Sequence, residues 1–387
     1  MIQVRRSSNI FVLFSDRVAI DLTAFFSGSV TVNPKTQVLG ISLVTGKTAE
    51  LTPAALDLFA TIDSVSWHSK DEIFEKFNID SLEFDRLLNH GFLISDGPDD
   101  FASGMREMDT RLDRANWNPH QALAYVMSRW SDTSELRETD AITEVLGDFD
   151  SLVSAYGSPP NHYHHVKSIS RTPLPKAQAE GELFKTLLDR YTARVFKMDL
   201  PMPQEDLSRL LHFTFGAQAE IPLGKGFTVL RKTSPSGGAL HPVEAYPLIM
   251  NVQGLECGIY HYSVENHSLD LIEAMSLTDA RDFALRVTTG QDYFASADLL
   301  VILTGRYNRN FWKYRNHAKA RRVVELDAGH LSQTFYLIAT KLGYGPFMTA
   351  AIADHLIEEK LDLPYLEEGA IAVVGCGTSI ENQERLI

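Results

Sequence analysis

Apolar and polar positions alternate over Asn9–Leu13 and Val38–Val44, the period of a half-buried strand, with turn residues between. The rhythm then changes. Thr52, Pro53 and the apolar stretch Ala54–Phe59 predict a helix whose first turn holds the proline and whose N-cap is the Thr52 hydroxyl. A second helix is expected from Ser69 or Lys70 to Phe77, and a third from Asp80 or Ser81 to Asn89, with Gly91 as its stop signal. Phe92–Ser95 is a short strand. Three helices and a strand in this order predict a winged-helix-like arrangement for residues 1–110, a binding module rather than a catalyst.

Residues 111–178 form a connector with one helical stretch, Pro119–Trp130. Its histidine-bearing run, Gly157–His165, has no fixed carboxylate partner and is taken as a polar connector rather than a metal site. Thr172-Pro173-Leu174-Pro175 closes it as a linker. Residues 179–387 mix both periods. Ala245–Val252, Leu299–Leu303 and Ala370–Val374 are short apolar strands, and helices are expected from Glu182, Glu205, Thr278 and Glu325. The fold class is therefore α+β, with a layered domain at the C-terminal end.

Composition narrows the function. A formal net charge of −14 argues against a nucleic-acid partner, since phosphate binding needs a basic surface, and favours a peptide as ligand of the first region. Cys257 and Cys376 are too few for a disulfide framework or a structural zinc site, and both read as small packing residues. Arg5-Arg6 before Ile10–Phe14 suggests an export signal, but the apolar run is short and Asp16 and Arg17 interrupt it. No stretch approaches the roughly 18 apolar residues of a membrane span. The expected location is the cytoplasm, with no metal and no membrane partner.

Two stretches carry candidate chemistry. In Arg190-Tyr191-Thr192-Ala193-Arg194, a continuing helix places the arginines on one face, while an extended turn brings them together with the Thr192 hydroxyl. Either geometry offers fixed donors to a phosphate. In Thr233–Pro242, proline and glycine make a tight loop whose backbone can lie close to a flat ring or an anion. It matches neither a Walker loop nor a dinucleotide fingerprint.

The order of these stretches resembles the SagB-type dehydrogenases, nitroreductase-like flavoproteins that oxidise azolines in ribosomally made peptides. The resemblance runs from Arg190–Arg194 through Leu207–Leu211 and Ser234–Glu244 to Lys313-Tyr314. It continues with Asp327–Gln333, Leu342–Gly345 and Val374-Gly375, and so covers residues 180–380. It implies FMN as cofactor and a homodimer. Arg190, Thr192 and Arg194 would contact the phosphate and ribityl chain. Pro235, Ser236, Gly237 and Gly238 would lie against the isoalloxazine ring, with Gln333, Gly343, Gly345 and Gly375 near the flavin. Gly377 stands where the family has proline, so the last phosphate contact is not assigned, although Arg385 is a candidate.

The same resemblance implies that Lys313 and Tyr314 are catalytic. They would take part in removing a proton while the flavin accepts hydride, as base or through hydrogen bonding. Seven lysines and arginines and no acid lie between Arg306 and Arg322, a run that could instead hold an acidic peptide. His241 and His330 are possible proton carriers, although hydrogen-bonded structural histidines are commoner. The expected partners are a precursor peptide and a cyclodehydratase. Two other readings stand beside azoline oxidation: a flavin-dependent reductase of dehydroamino acids, and a non-catalytic peptide scaffold.

Overall fold

The computed structural model describes residues 2–20, 32–130, 153–154, 157–163, 166–224 and 226–380. His164 and His165 of the connector, and Arg385, lie outside them. The chain forms two compact units, Met1–Ser128 with Phe311–Ala320, and Arg129–Asn310 with Arg321–Ile387.

The first unit contains β1 (Gln3–Arg6), β2 (Ile10–Ile20), β3 (Val32–Ser42), β4 (Thr48–Glu50), α1 (Pro53–Thr61), β5 (His68–Ser69), α2 (Lys70–Phe77), α3 (Ser81–Asn89), β6 (Leu93–Ser95), α4 (Asp100–Arg114) and α5 (Pro119–Ser128). The expected Thr52 N-cap forms, and Ser69 and Asp80 cap the next two helices, which begin at Lys70 and Ser81. Thr52 accepts the Ala55 N–H at 3.1 Å, Ser69 that of Glu72 at 3.2 Å, and Asp80 that of Glu83 at 2.8 Å. Each such cap stabilises its helix by about 1 kcal/mol. The apolar faces of α1, α2 and α3 bury Leu58, Ile73, Phe84 and Leu87 with Val4 of β1 and Leu93 of β6. β1 lies between β5 and β6, antiparallel to both.

β2 and β3 form a long ribbon from Ile10–Ser42 to Ile20–Val32, with β4 beside β3. Apolar alternation marks only the Ile10–Ser42 end, because polar residues such as Ser15 and Asp16 fill the rest. Helix α4 carries its apolar residues Phe101, Met105, Met108 and Leu112 at helical spacing. It is tied down through Asp109, which is 2% exposed and accepts from Arg5 at 2.6 Å and Ser7 at 2.7 Å.

The second unit continues with α6 (Glu182–Asp189), α7 (Gln204–Phe215), β7 (Ala217–Gly224), β8 (Phe227–Lys232), β9 (Val243–Ile249), β10 (Gly258–Ser263), β11 (Ser268–Ala274), α8 (Leu277–Val287) and β12 (Leu299–Arg306). After α9 (Tyr307–Lys313) come α10 (Ala320–Leu342), β13 (Gly345–Thr349), α11 (Asp354–Lys360) and β14 (Glu368–Gly377). Six strands form one antiparallel sheet in the order β11-β10-β9-β12-β14-β13, and β7–β8 is a separate hairpin. β12 is buried throughout Leu299–Gly305, which explains its unbroken apolar run. Ala280, Phe283, Ala284 and Val287 of α8 join Tyr246, Leu248, Leu300 and Ile302 in the main core.

Helix α10 starts at Ala320, a turn earlier than the apolar period suggests. The extra turn carries an Arg321–Glu325 pair at 2.9 Å with i,i+4 spacing. Gly305 of β12 lets the sheet and this helix approach, since a Cβ there would stand 2.8 Å from a Val324 methyl.

Candidate functional site

Helix α6 stops at Asp189, and Arg190 takes extended angles of φ −61° and ψ 127°. The chain beyond it is pinned from a distance. The Ala193 N–H donates to the Pro346 carbonyl at 2.9 Å, the Lys197 N–H to Thr378 at 2.7 Å, and Phe196 bridges to Ser379. Successive side chains of an extended segment point to opposite sides. Ala193 is fully buried, and Tyr191 packs on the core with its hydroxyl 2.7 Å from Ser379 Oγ. Arg190, Thr192 and Arg194 therefore share the other side.

Tyr336 of α10 meets this trio. The Thr192 hydroxyl is 3.3 Å from the Tyr336 hydroxyl, and the Arg190 guanidinium lies 5.7 Å from the ring centre. Burial pushes the Tyr293 hydroxyl up in pKa, and the neighbouring Arg194 charge works against that. Among the described residues, no carboxylate lies within ion-pair distance of Arg190 or Arg194. Two guanidinium groups and a hydroxyl without a counter-charge are a donor set suited to a phosphate.

The loop at Ser234–Leu240 is held by α10. Asp327, 3% exposed, accepts the Ser236 hydroxyl at 2.5 Å and the Gly237 N–H at 3.1 Å. Burial pushes the Asp327 carboxyl up, while both bonds work against that. Ser236 Oγ in turn accepts the His241 N–H at 2.9 Å. At the far side Arg309 Nε donates to the Leu240 carbonyl at 2.5 Å. Gly237 has no room for a side chain, since a Cβ would sit 2.1 Å from a Val323 methyl, and Gly238 is left-handed at φ 68°. Asp327 belongs to the motif that carries the resemblance, but its role as the loop's anchor has no local signal.

Both elements lie along α10. Asp327 and Tyr336 are nine residues apart on it, about 14 Å at helical rise. Gln333 lies between them and is exposed. Gly343 is left-handed at φ 89° where α10 ends, and the Tyr344 N–H returns to the Ala339 carbonyl at 2.9 Å. Gly345 and Gly375 are packing positions. A Cβ on Gly345 would come within 2.4 Å of Ala193, and one on Gly375 within 2.3 Å of the Phe347 ring.

His241 and His330 are engaged in the fold. His241 Nε2 is 2.9 Å from the Leu230 carbonyl, and burial beside Lys232 drives its pKa down to about 4, so it is neutral at pH 7. His330 Nδ1 is 3.2 Å from the Pro235 carbonyl.

Lys313 and Tyr314 belong to Phe311–Ala320, which packs within the first unit. There the Asn316 N–H donates to the Asn116 carbonyl at 2.9 Å, Asn118 donates to the Asn316 carbonyl at 3.2 Å, and Trp117 meets Phe311 edge-on at 4.8 Å. Lys313 Nζ lies 5.6 Å from the Tyr314 ring centre. The structure thus gathers Arg190, Thr192, Arg194 and the Ser236–Gly238 loop on one helix, and Lys313-Tyr314 on the other compact unit.

Residues 187–378 match the family model described as the nitroreductase family. A nitroreductase-type protein of Methanocaldococcus jannaschii is 30% identical over 202 residues, 52% of this chain and 93% of that protein. The trifolitoxin-processing protein TfxB of Rhizobium leguminosarum bv. trifolii is 35% identical over 152 residues, 38% of this chain and 39% of its own length. This chain therefore aligns with about two-fifths of TfxB. Among solved structures, a chain of the E. coli microcin synthetase McbBCD complex superposes with a TM-score of 0.50 at 15% identity, over 66% of this chain and 91% of its own. No helix among the described residues is long and apolar enough to cross a membrane. With its antiparallel sheet, its helices and a relative matched over nearly that relative's whole length, the chain belongs to the nitroreductase family of oxidoreductases.

Proposed function

We propose that this chain is an FMN-dependent dehydrogenase of the SagB type, which matures ribosomally made peptides by oxidising thiazoline or oxazoline rings to thiazoles or oxazoles. The observation that carries the cofactor is the donor set Arg190, Thr192 and Arg194, aligned on one side of an extended segment with no described carboxylate to neutralise it. The Ser236–Gly238 loop, braced from behind by Asp327, offers a bare backbone for a flat ring. Likeness to the trifolitoxin-processing protein supports a peptide as substrate.

When bound, FMN would accept a hydride from ring carbon. The chain's own part is to hold the cofactor phosphate with Arg190 and Arg194 and to remove the proton from the adjacent carbon. Lys313 Nζ and Tyr314 OH are assigned to that step. A cyclodehydratase would supply the ring. On the first unit, a groove of about 320 Å³ lined by Lys70, Phe84, Leu88, Leu93, Phe101 and Met105 would hold the precursor peptide. A homodimer belongs to the proposal as well. Helix α6 has no buried residue although Leu183, Phe184, Leu187 and Leu188 are apolar, and a second copy would cover them.

The test is the absorption spectrum of the purified protein with the released cofactor weighed by mass spectrometry. Bands at about 370 and 450 nm and the mass of FMN are expected, followed by oxygen-dependent oxidation of an azoline peptide. A colourless protein that takes up no added FMN would end this reading. Reduction of a dehydroamino-acid peptide with NADPH, in place of azoline oxidation, would replace it.

A further inference from the structure

The second unit also contains a polar cleft of about 620 Å³, lined by the β7–β8 hairpin and by residues of β9, β10 and β12, which none of the flavin assignments uses. It begins where the sheet splays. β9 and β10 pair only at Ile249–Gly258 and Leu248–Ile259, and the next residue, Pro247, has no N–H to extend that ladder. Beyond it Glu244 of β9 and His261 of β10 line the cleft, their side chains 3.4 Å apart.

Three cations, Lys232, Arg306 and Arg309, and three carboxylates, Glu220, Glu244 and Glu265, line this cleft, but among these six only Arg306 and Glu244 form an ion pair. Glu244 is already committed, bonding Arg306 at 3.0 Å as well as His261. Lys232 and Arg309, both partly buried, have no carboxylate within ion-pair distance among the described residues. Burial lowers the pKa of each cation and a neighbouring arginine adds to it, while the Glu244 charge, too far for an ion pair, works against both. Gln218 Nε2 is buried in the same cleft without an acceptor. Two unpaired cations and one orphaned amide N–H make a surplus of donors that a single anion would satisfy. Exposed Glu220 and Glu265 also line the cleft, and their charge disfavours a multiply charged ligand such as phosphate.

We propose that this cleft is a subsite for one carboxylate of a peptide, held by Lys232, Arg309 and Gln218 and separate from the flavin-phosphate donors Arg190 and Arg194. The anion preference stands on the cleft alone; the peptide as its source rests on the functional reading above. The source is either an acidic side chain or a C-terminal carboxylate.

Three short probes decide, titrated into the full-length protein by calorimetry or saturation-transfer NMR: acetyl-Ala-Glu-Ala-amide, its Gln counterpart, and acetyl-Ala-Ala-Ala with a free acid end. At least one carboxylate probe is expected to bind about tenfold more tightly than the Gln peptide, and the winner names the source. Lys232→Met abolishes the preference, Gln218→Leu weakens it, and flavin content stays unchanged. Arg309→Gln, read for the carboxylate preference alone because Arg309 also holds the Leu240 carbonyl of the flavin loop, serves as the second variant should Lys232→Met not fold. Equal binding of all three probes, a preference that survives both cation variants, or tighter binding of inorganic phosphate overturns the proposal. So does loss of the flavin band together with the preference, because the cleft is then part of the flavin site. A colourless wild-type protein that still prefers a carboxylate leaves the subsite standing and removes the flavin reading instead.

Discussion

The buried carboxylate of Asp327 holds Ser236 Oγ at 2.5 Å and the Gly237 N–H at 3.1 Å, and so couples helix α10 to a loop ninety residues earlier. Asp327→Ala leaves both donors without a partner, at a cost of about 2–3 kcal/mol. Loosened loop geometry should weaken FMN retention about tenfold or more, and Asp327→Asn, which keeps one acceptor, should recover part of it. Fluorescence titration of FMN against each variant checks this. Equal affinity in wild type and the alanine variant removes the loop from the flavin site.

Arg190 and Arg194 act as a pair without counter-charge. Each charge-assisted bond to a phosphate is worth about 1.5–3 kcal/mol, so either alanine substitution should raise the FMN dissociation constant roughly tenfold to a hundredfold. Riboflavin, which lacks the phosphate, should bind wild type and variants alike. A riboflavin affinity that falls in step with FMN would mean that the arginines hold something else.

Lys313→Ala combined with Tyr314→Phe should leave the flavin spectrum intact and lower turnover of an azoline peptide by about 10²–10⁴, the range of a lost proton-transfer group. Lys313 is exposed and Tyr314 half-buried. Unchanged kcat in the double variant would falsify the catalytic assignment.

Asp298 supplies a pH signature. It is 1% exposed, accepts from Asn251 Nδ2 at 2.8 Å and the Thr378 N–H at 3.0 Å, and burial raises its pKa to about 6, above the ordinary carboxylate range. The folded state therefore binds this proton more tightly than the unfolded chain. Its contribution is fully present below about pH 4 and is lost as pH rises through about 6, on the order of 2–3 kcal/mol in all. Thermal melts between pH 4 and 7 should show that decline in the wild type and a flatter profile in Asp298→Asn. Parallel profiles would assign the decline to other groups.

Helix α6 gives the test of assembly. Leu183 is 63% and Leu188 68% exposed, and no residue of the helix is fully buried within its own chain. Leu183→Lys with Leu188→Glu should convert a dimer to a monomer in sedimentation equilibrium, with the far-ultraviolet spectrum preserved. A wild-type protein that sediments as a monomer disposes of the dimer directly.

Much of this protein was legible in local chemistry. Thr52, Ser69 and Asp80 start their helices because a side-chain oxygen three residues upstream is the cheapest partner for an orphaned N–H. The central strand Leu299–Arg306 shows itself because burial on both faces demands an unbroken apolar run. The motif order likewise marks the nitroreductase family before any contact is known. Contacts between distant residues were not legible. Whether Arg190–Arg194 is helical or extended depends on Pro346, whose carbonyl takes the Ala193 N–H, and on Thr378, whose carbonyl takes that of Lys197 just beyond, both more than 150 positions away. Gly345 and Gly375 are expected near the flavin from the resemblance alone, whereas in the fold their missing side chains make room for Ala193 and Phe347. The segment that carries Lys313-Tyr314 is tied to Asn116–Asn118 through Asn316 and Phe311, and nothing in either stretch marks that partnership. Propensity and periodicity act over one or two turns of chain, whereas steric exclusion and the need to pair every buried polar group act across the fold, and only the tertiary structure says which residues meet.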